Sequence, residues 1–312
     1  MNRFVLPEFA TARRWAAGVA IAILGMTVNG GAARAEMLIG LTTDNNILSI
    51  NSSSPESAGP LMAVNGLVVG DSLIGIDTRS LDGQIYGVSV GTGGIGRIYT
   101  IDASTGNASL FSTLTAAPGD SFTNLTGLNF GVDFNPTVDR LRVVSITGEN
   151  YRINVDTGAV ITDTPLNPGS PQVVAVAYTN PDNDPTTGTQ LYDINVRDDT
   201  LNEQFPANSG VLTINGELMA GFDVGEFAGF DISPSGVGYA SLTPVGGGNS
   251  SLFQIDLDTG FATNLGMING GVTLRGLTTT AIPEPASLAM MGLGGASLLG
   301  YLKRRTRRNT AV

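Results

Sequence analysis

Short apolar runs alternate with polar turns between residues 36 and 282, and helical periodicity is nearly absent there. Runs such as 84–88 and 140–144 have the β-branched and apolar content of strands. Gly, Asn, Asp, Pro and Thr separate these runs at short intervals. The pattern therefore predicts an all-β fold.

Two phrases recur through this middle segment. The first is an aromatic residue or Leu, any residue, Ile, and then Asp or Asn, and it occurs at 48–51, 99–102, 151–154, 192–195 and 253–256. The second is a small-residue run that ends near Asp, with clear copies at 73–77, 130–133 and 228–231 and a degenerate copy at 174–178. Four strands in each unit, at a spacing of roughly 40 to 60 residues, are typical of the blades of a β-propeller.

The two ends of the middle segment complement each other. It starts at 37–41 and 47–50 with two runs that match the second and third strands of a blade, but no inner strand precedes them. It ends at 272–277 with a run that matches an inner strand, but no further strands of a blade follow it. Joining the ends completes one blade and removes exposed strand edges. We therefore predict a five-bladed propeller closed between its N- and C-terminal strands, with inner strands near Leu73, Phe130, Val174, Ala228 and Leu274. Six blades, a β-sandwich and a β-solenoid are the alternatives.

The first 35 residues have the pattern of a secretory leader. Arg3, Arg13 and Arg14 precede an apolar segment at 15–28. Ala33 and Ala35 then place small residues at both recognition positions of a signal peptidase. The sequence predicts a signal peptide at 1–35, a mature domain at 36–280 and a separate tail at 281–312.

The tail has three ordered parts. Pro283, Glu284 and Pro285 lead into an apolar, Gly-rich run from 288 to 302, and the basic residues that follow it are Lys303, Arg304, Arg305, Arg307 and Arg308. With the two residues before it, the stretch from 286 to 302 has about 17 residues, which predicts a short transmembrane helix. The basic residues hold its far end in the cytoplasm, which leaves the domain before Pro283 outside.

This order of elements resembles the PEP-CTERM sorting signal of Gram-negative bacteria that export proteins into an extracellular polysaccharide matrix. The resemblance implies that an exosortase reads the Pro-Glu-Pro element and removes the helix and the basic tail, while signal peptidase processes the leader. It also implies transient anchoring in the inner membrane, followed by delivery to the cell surface or the matrix. Extracellular polysaccharide and envelope proteins are the partners that such a location implies.

Charge and composition narrow the possible chemistry of the domain. Seven arginines and 25 acidic residues lie between 36 and 282, so the net charge of this segment is near −18. Such a domain repels nucleic acid and attracts divalent cations or basic partners. The chain has no cysteine and no histidine, which excludes disulfides, the usual zinc sites and histidine-based catalysis.

Two short motifs resemble enzyme signatures without their structural context. The Gly-x-Ser-x-Gly pattern at 87–91 requires a strand-to-helix turn and a histidine base, and the Gly-x-Gly-x-x-Gly pattern at 91–96 requires a following helix. Strand-like residues surround both, so we predict a strand at the first and a hairpin at the second.

Two sets of oxygen-bearing side chains are candidate sites. Asp77, Asp133 and Asp231 end the small-residue runs, where they act either as turn residues that accept backbone N–H bonds or as a ring that binds a cation or a ligand on one face. The loop at 180–188 carries Asn180, Asp182 and Asp184, which are oxygen ligands of the kind that Ca²⁺ favours. A solvated hairpin loop is the alternative there.

The phrases at 128–136 and 139–144 resemble an uncharacterised bacterial family of secreted domains that often carries this sorting tail. The resemblance implies an architecture and no catalytic residues. We expect a non-catalytic protein of the envelope or of the exopolysaccharide matrix of a biofilm. The alternatives are a calcium-dependent propeller hydrolase of the lactonase or glycosidase type that uses Asp or Glu, and a protein-binding scaffold. Convergence of the carboxylates on one cavity favours the enzyme, whereas separate turn hydrogen bonds favour the non-catalytic protein.

Overall fold

A computed structural model describes residues 35–182 and 184–280. The predicted leader up to residue 34, which includes Ala33, and the tail from residue 281 onward lie outside the described residues. Within these residues, no helix is long and apolar enough to cross a membrane.

The described residues form 21 strands, numbered β1 to β21 in chain order, in five sheets that are the blades of a propeller. Blade 1 contains β4 (Ser72–Thr78), β5 (Ile85–Val90), β6 (Gly96–Ile101) and β7 (Ala108–Thr113). Blade 2 contains β9 (Phe130–Asn135), β10 (Arg140–Ser145), β11 (Asn150–Asn154) and β12 (Ala159–Thr162). Blade 3 contains β13 (Val173–Tyr178), β14 (Leu191–Asn195), β15 (Thr200–Gln204) and β16 (Leu212–Glu217).

Of the other two blades, only blade 5 combines strands from both ends of the ring. Blade 4 contains β17 (Val224–Ile232), β18 (Gly238–Pro244), β19 (Ser251–Ile255) and β20 (Ala262–Met267). Blade 5 contains β21 (Leu274–Thr279), β1 (Met37–Thr42), β2 (Asn46–Asn51) and β3 (Met62–Ala63). Short 3₁₀ turns lie at Pro55–Ser57, Thr92–Gly94 and Ala207–Ser209.

Closure of the ring occurs in blade 5, as predicted. β1 pairs antiparallel with β21, and Leu38 lies opposite Thr279. The inner strands β4, β9, β13, β17 and β21 follow one another around the axis, and each contacts the next. The five-bladed prediction is therefore confirmed. Because the blades and their closure lie between Met37 and Thr279, this segment contains its own core and is a self-contained folding unit.

Small residues allow the inner strands to converge on the axis. A Cβ atom on Gly131 would lie 2.8 Å from the backbone nitrogen of Val176, and one on Gly229 would lie 2.5 Å from the carbonyl carbon of Gly276. Contacts this short exclude any side chain at these two positions. The axial space beside them is only about 10 Å³.

The structure adds one strand that the repeats do not predict. β8 (Thr115–Ala116), in the segment that links blade 1 to blade 2, pairs parallel with β12 and gives blade 2 a fifth strand. The two discounted motifs have the predicted structures. The motif at 87–91 lies along the end of β5, and that at 91–96 forms the hairpin between β5 and β6.

Candidate functional site

The three predicted carboxylates meet at one end of the axis. Each follows its axial Gly by two residues, so the backbone alternation points all three side chains the same way. Asp77 lies in β4, Asp133 in β9 and Asp231 in β17, and one oxygen from each lies within 4.8 Å of the others. All three are buried. We call them the axial carboxylates.

Each axial carboxylate also holds the next inner strand in place. Asp77 Oδ2 accepts a hydrogen bond from the Phe134 N–H at 2.7 Å. Asp133 Oδ2 accepts one from the Tyr178 N–H at 2.7 Å, and Asp231 Oδ2 accepts one from the Thr279 N–H. The expectation that these residues are turn residues is therefore wrong, because they lie inside strands. Their carboxylates do accept backbone N–H bonds, but the donors belong to the neighbouring blade.

Of the equivalent positions in the other two blades, one continues this pattern and one does not. Thr278 occupies the position in blade 5, where its hydroxyl accepts the Thr78 N–H at 3.0 Å. The same hydroxyl lies 3.0 Å from Asp77 Oδ1 and 3.2 Å from Asp231 Oδ2, so it can donate to either. Ala177 occupies the position in blade 3 and has no acceptor. Thr278 is not among the residues predicted from the sequence, although its place after Gly276-Leu277 matches the Gly-x-Asp phrase of the other blades.

The axial carboxylates are electrostatically perturbed. Burial, and next the charge of Asp231, raise the pKa of Asp77 well above its ordinary value. Burial, followed by the charges of Asp77 and Asp231, raises the pKa of Asp133 in the same direction. Burial raises the pKa of Asp231 to about 6, against the lowering effect of its hydrogen bonds. Three buried anions at this spacing are costly, so the site requires protons or a cation.

A small cavity of about 80 Å³ opens directly over the axial carboxylates. Arg79 and Tyr178 are also in its lining. Arg79 does not neutralise the site, because its guanidinium donates to Asp139 at 2.8 Å and to Asp156 at 3.0 Å. Among the described residues, the cavity lining contains one basic side chain, Arg79, and it is already paired.

The second predicted set lies beside this cavity but outside it. Asn180, Asp182 and Asp184 lie in the loop between β13 and β14, and the cavity lining includes Pro181 from that loop but none of the three. Asp182 Oδ1 accepts the Asp184 N–H at 2.9 Å, and Asp184 Oδ1 accepts the Thr186 N–H at 2.8 Å. These are local turn bonds. Calcium binding by this loop stays a prediction.

Residues 46–278 match the family described as Domain of unknown function (DUF4394). This match covers most of the ring and well over half of the chain. The chain belongs to this family. The match agrees with the resemblance carried by the phrases at 128–136 and 139–144.

Residues 281–308 match the PEP-CTERM protein-sorting motif. This motif contains Pro283, Glu284 and Pro285, and it marks exported proteins of Gram-negative bacteria that are anchored transiently in the membrane and processed by an exosortase. The protein is therefore an exported, exosortase-sorted member of the family. No curated protein matches the sequence.

Several solved structures are similar to the chain at low identity. TolB from Acinetobacter baumannii is 17% identical, with a TM-score of 0.41 over 74% of this chain and 53% of that chain, so the chain spans about half of its length. A nidogen/laminin complex is 12% identical, with a TM-score of 0.48 over 78% of this chain and 98% of that chain. A putative 6-phosphogluconolactonase from Bacteroides uniformis ATCC 8492 is 12% identical, with a TM-score of 0.42 over 75% of this chain and 82% of that chain. At these values the likeness implies no shared activity.

Proposed function

We propose that the protein is a non-catalytic component of the cell envelope or of the extracellular polysaccharide matrix. The observation that carries the proposal is the sorting motif at 281–308, which is joined to a closed, self-contained ring. Closure pairs both ends of the ring, which leaves no open blade edge at the junction between its first and last strands. A rigid, acidic module of this kind suits an adhesion or matrix role outside the cell.

The axial cavity supports a bound divalent cation within this role. Ca²⁺ binds oxygens at about 2.3 to 2.6 Å, so two oxygens on one ion lie at most about 5 Å apart. The axial carboxylates meet this limit, since their oxygens lie within 4.8 Å of one another. The cavity of about 80 Å³ accommodates an ion with waters. Pockets for small molecules are larger, at about 300 to 1,000 Å³. Calcium would supply the positive charge that the three carboxylates lack, and it would link the three blades to which they belong.

A sorting experiment tests the proposed location. A tag placed after residue 36 allows the chain to be followed in membrane, matrix and medium fractions of a Gram-negative host with an exosortase. The wild-type chain is expected in the matrix fraction, whereas replacement of Pro283, Glu284 and Pro285 by Ala should keep it in the membrane fraction. The matched control replaces Pro60, Pro118 and Glu217 instead, which are exposed and lie outside the axial cavity. Equal distribution of the wild type and the tail variant would contradict the sorting step, and wild type found only in the medium would contradict the matrix role.

A calcium-dependent hydrolase is the second candidate, and the convergence of three carboxylates on one cavity favours it. In this case Asp77, Asp133 or Asp231 would act on a substrate through the cation or as a general base. The test is hydrolysis of a panel of lactones and aryl glycosides by residues 36–280. Turnover that requires calcium and is lost in Asp77→Asn would replace the non-catalytic proposal with this one.

A further inference from the structure

A second, basic cavity lies between blades 2 and 3. Seven arginines and no lysine lie between residues 36 and 282, and three of these arginines line one cavity of about 470 Å³. They are Arg140 and Arg142 on β10 and Arg152 on β11. Arg142 and Arg152 lie directly opposite each other in the strand ladder. We call this cavity the arginine groove.

One carboxylate neutralises part of this charge. Asp163 accepts hydrogen bonds from Arg142 at 2.7 Å and from Arg152 at 2.7 and 2.9 Å. Arg140 donates only to the backbone carbonyls of Val138 and Asp139 and has no salt bridge among the described residues. Three guanidinium groups therefore share one directly bonded carboxylate, and the groove keeps a local positive charge in a strongly acidic domain.

Several donors in the groove are available to a ligand. Within the described residues, Arg140 Nε and Nη2 and Arg152 Nη1 make no hydrogen bond, and the Arg152 side chain is 30% exposed. Arg142 is different, because it is buried and donates to Tyr178, Asn150, Asp163 and Asn208. Arg142 thus fixes the floor of the groove, while Arg140 and Arg152 present guanidinium edges. Such edges bind carboxylates through paired N–H bonds.

The rest of the lining indicates the class of ligand. Asn135 and Asn208 supply amide groups that can bond to hydroxyls, and Ile161 and Pro206 supply apolar surface. The volume lies in the range of small-molecule pockets. Amides, apolar surface and arginines together suit a sugar ring that bears a carboxylate. We propose that the arginine groove binds a uronate residue of an acidic polysaccharide. This deepens the proposed matrix role and rests on it for the source of the ligand.

Titration calorimetry on residues 36–280 tests the proposal with three probes. The probes are trigalacturonic acid, a neutral trisaccharide of the same length, and inorganic phosphate. We expect trigalacturonic acid to bind at least about tenfold more tightly than either of the others, because only it offers both a carboxylate and a sugar ring. Absence of trigalacturonic acid binding overturns the proposal. Phosphate binding of equal strength overturns the assignment to a sugar carboxylate.

Two matched variants locate the binding. Arg140→Gln should weaken trigalacturonic acid binding about tenfold, which is the usual effect of losing a hydrogen bond to a charged group. Arg197→Gln removes the same charge from an exposed arginine outside the groove that also bonds only backbone carbonyls. The Arg197→Gln variant should bind trigalacturonic acid as the wild type does. Equal losses of affinity in the two variants overturn the groove as the binding site. Circular dichroism and thermal melts confirm that both variants fold. Because binding is measured on the purified ring, a failed matrix location and a failed uronate site give separate results.

Discussion

Removal of calcium at neutral pH is expected to destabilise the ring, and mild acid is expected to reverse that loss. The groups responsible are the axial carboxylates Asp77, Asp133 and Asp231, which are buried within 4.8 Å of one another. Without a cation, these groups either repel one another or take up protons. The difference in stability with and without calcium should therefore depend on pH.

Asp231 gives the size of the pH-dependent loss of stability in the absence of calcium. Burial raises its pKa from 3.8 to about 6 in the folded chain. Because the folded pKa is the higher one, stabilisation by the proton is complete below pH 3.8 and is lost as the pH rises through about 6. A rise of this size corresponds to about 3 kcal/mol in the free energy of unfolding. The pKa values of Asp77 and Asp133 shift in the same direction, so their ionisation adds to the loss.

Calorimetry of residues 36–280 in EDTA and in millimolar calcium, from about pH 4 to pH 8, measures this effect. About 3 kcal/mol corresponds to a difference of roughly 6 to 12 °C in melting temperature for a domain of this size. The two curves should converge in mild acid and separate above about pH 6. Asp193 is also buried with a raised pKa, but it lies outside the axial cavity. It affects both curves equally, so its contribution cancels in their difference.

Asp77→Asn is the informative variant. Its amide oxygen can accept the Phe134 N–H and its amide nitrogen can donate to the Thr278 hydroxyl, so the hydrogen bonds of Asp77 are kept while one charge is removed. It should be more stable than wild type in EDTA at neutral pH and should gain less from calcium. Asp182→Asn, in the exposed loop, should behave as wild type does. Coincident wild-type curves at neutral pH would refute the reasoning, as would an Asp182→Asn variant that alone removes the calcium effect.

Three further predictions concern the ring itself. Gly229→Ala should lower the free energy of unfolding in urea by about 2 kcal/mol, because its Cβ would lie 2.5 Å from the carbonyl carbon of Gly276. Gly276→Ala should lose much less, because the nearest contact of its Cβ is 3.3 Å. Equal losses would contradict axial crowding. A shortened chain of residues 36–273 lacks β21, which exposes the edge of β1, so it should aggregate in size-exclusion chromatography. A stable monomer would contradict closure of the ring as the source of stability. Arg79→Ala should cost about 2 kcal/mol, because it removes a buried guanidinium and leaves the half-buried Asp139 unpaired. Arg197→Ala, at an exposed arginine, should cost less than about 0.5 kcal/mol.

Local patterns were sufficient to predict the blades. Small residues followed by Asp predicted the inner strands at 73–77, 130–133 and 228–231, and each of them lies in a strand of the structure. The closing strand was predicted because the segment begins with strands that lack an inner partner and ends with an inner strand that lacks a blade. Alternation and turn residues are properties of a few consecutive positions, so a single sequence displays them directly. β8 was not predicted, because it is two residues long and its partner β12 lies in the next blade.

The roles of the site residues depend on partners far away in the chain. Asp77, Asp133 and Asp231 each bond to a backbone N–H that lies 45 to 57 residues further on. A sequence shows that these residues end a small-residue run, but it does not show which strand follows around the axis. For this reason they were expected in turns. The arginine groove is a similar case, since Asn208 of the next blade accepts a hydrogen bond from Arg142 and Pro206 of that blade lines the same cavity.

The sequence by itself determined that the chain is exported, that its tail is a sorting motif, and that its middle is a ring of β-blades, because each of these depends on the order of neighbouring residues. The tertiary structure decided how the charges are used. Of the 25 acidic residues and seven arginines between 36 and 282, it gathered three acidic residues around an axial cavity and three arginines in a groove between blades. Closure of the ring brings together residues that are far apart in the chain, and only there do burial and spacing turn ordinary side chains into candidate sites.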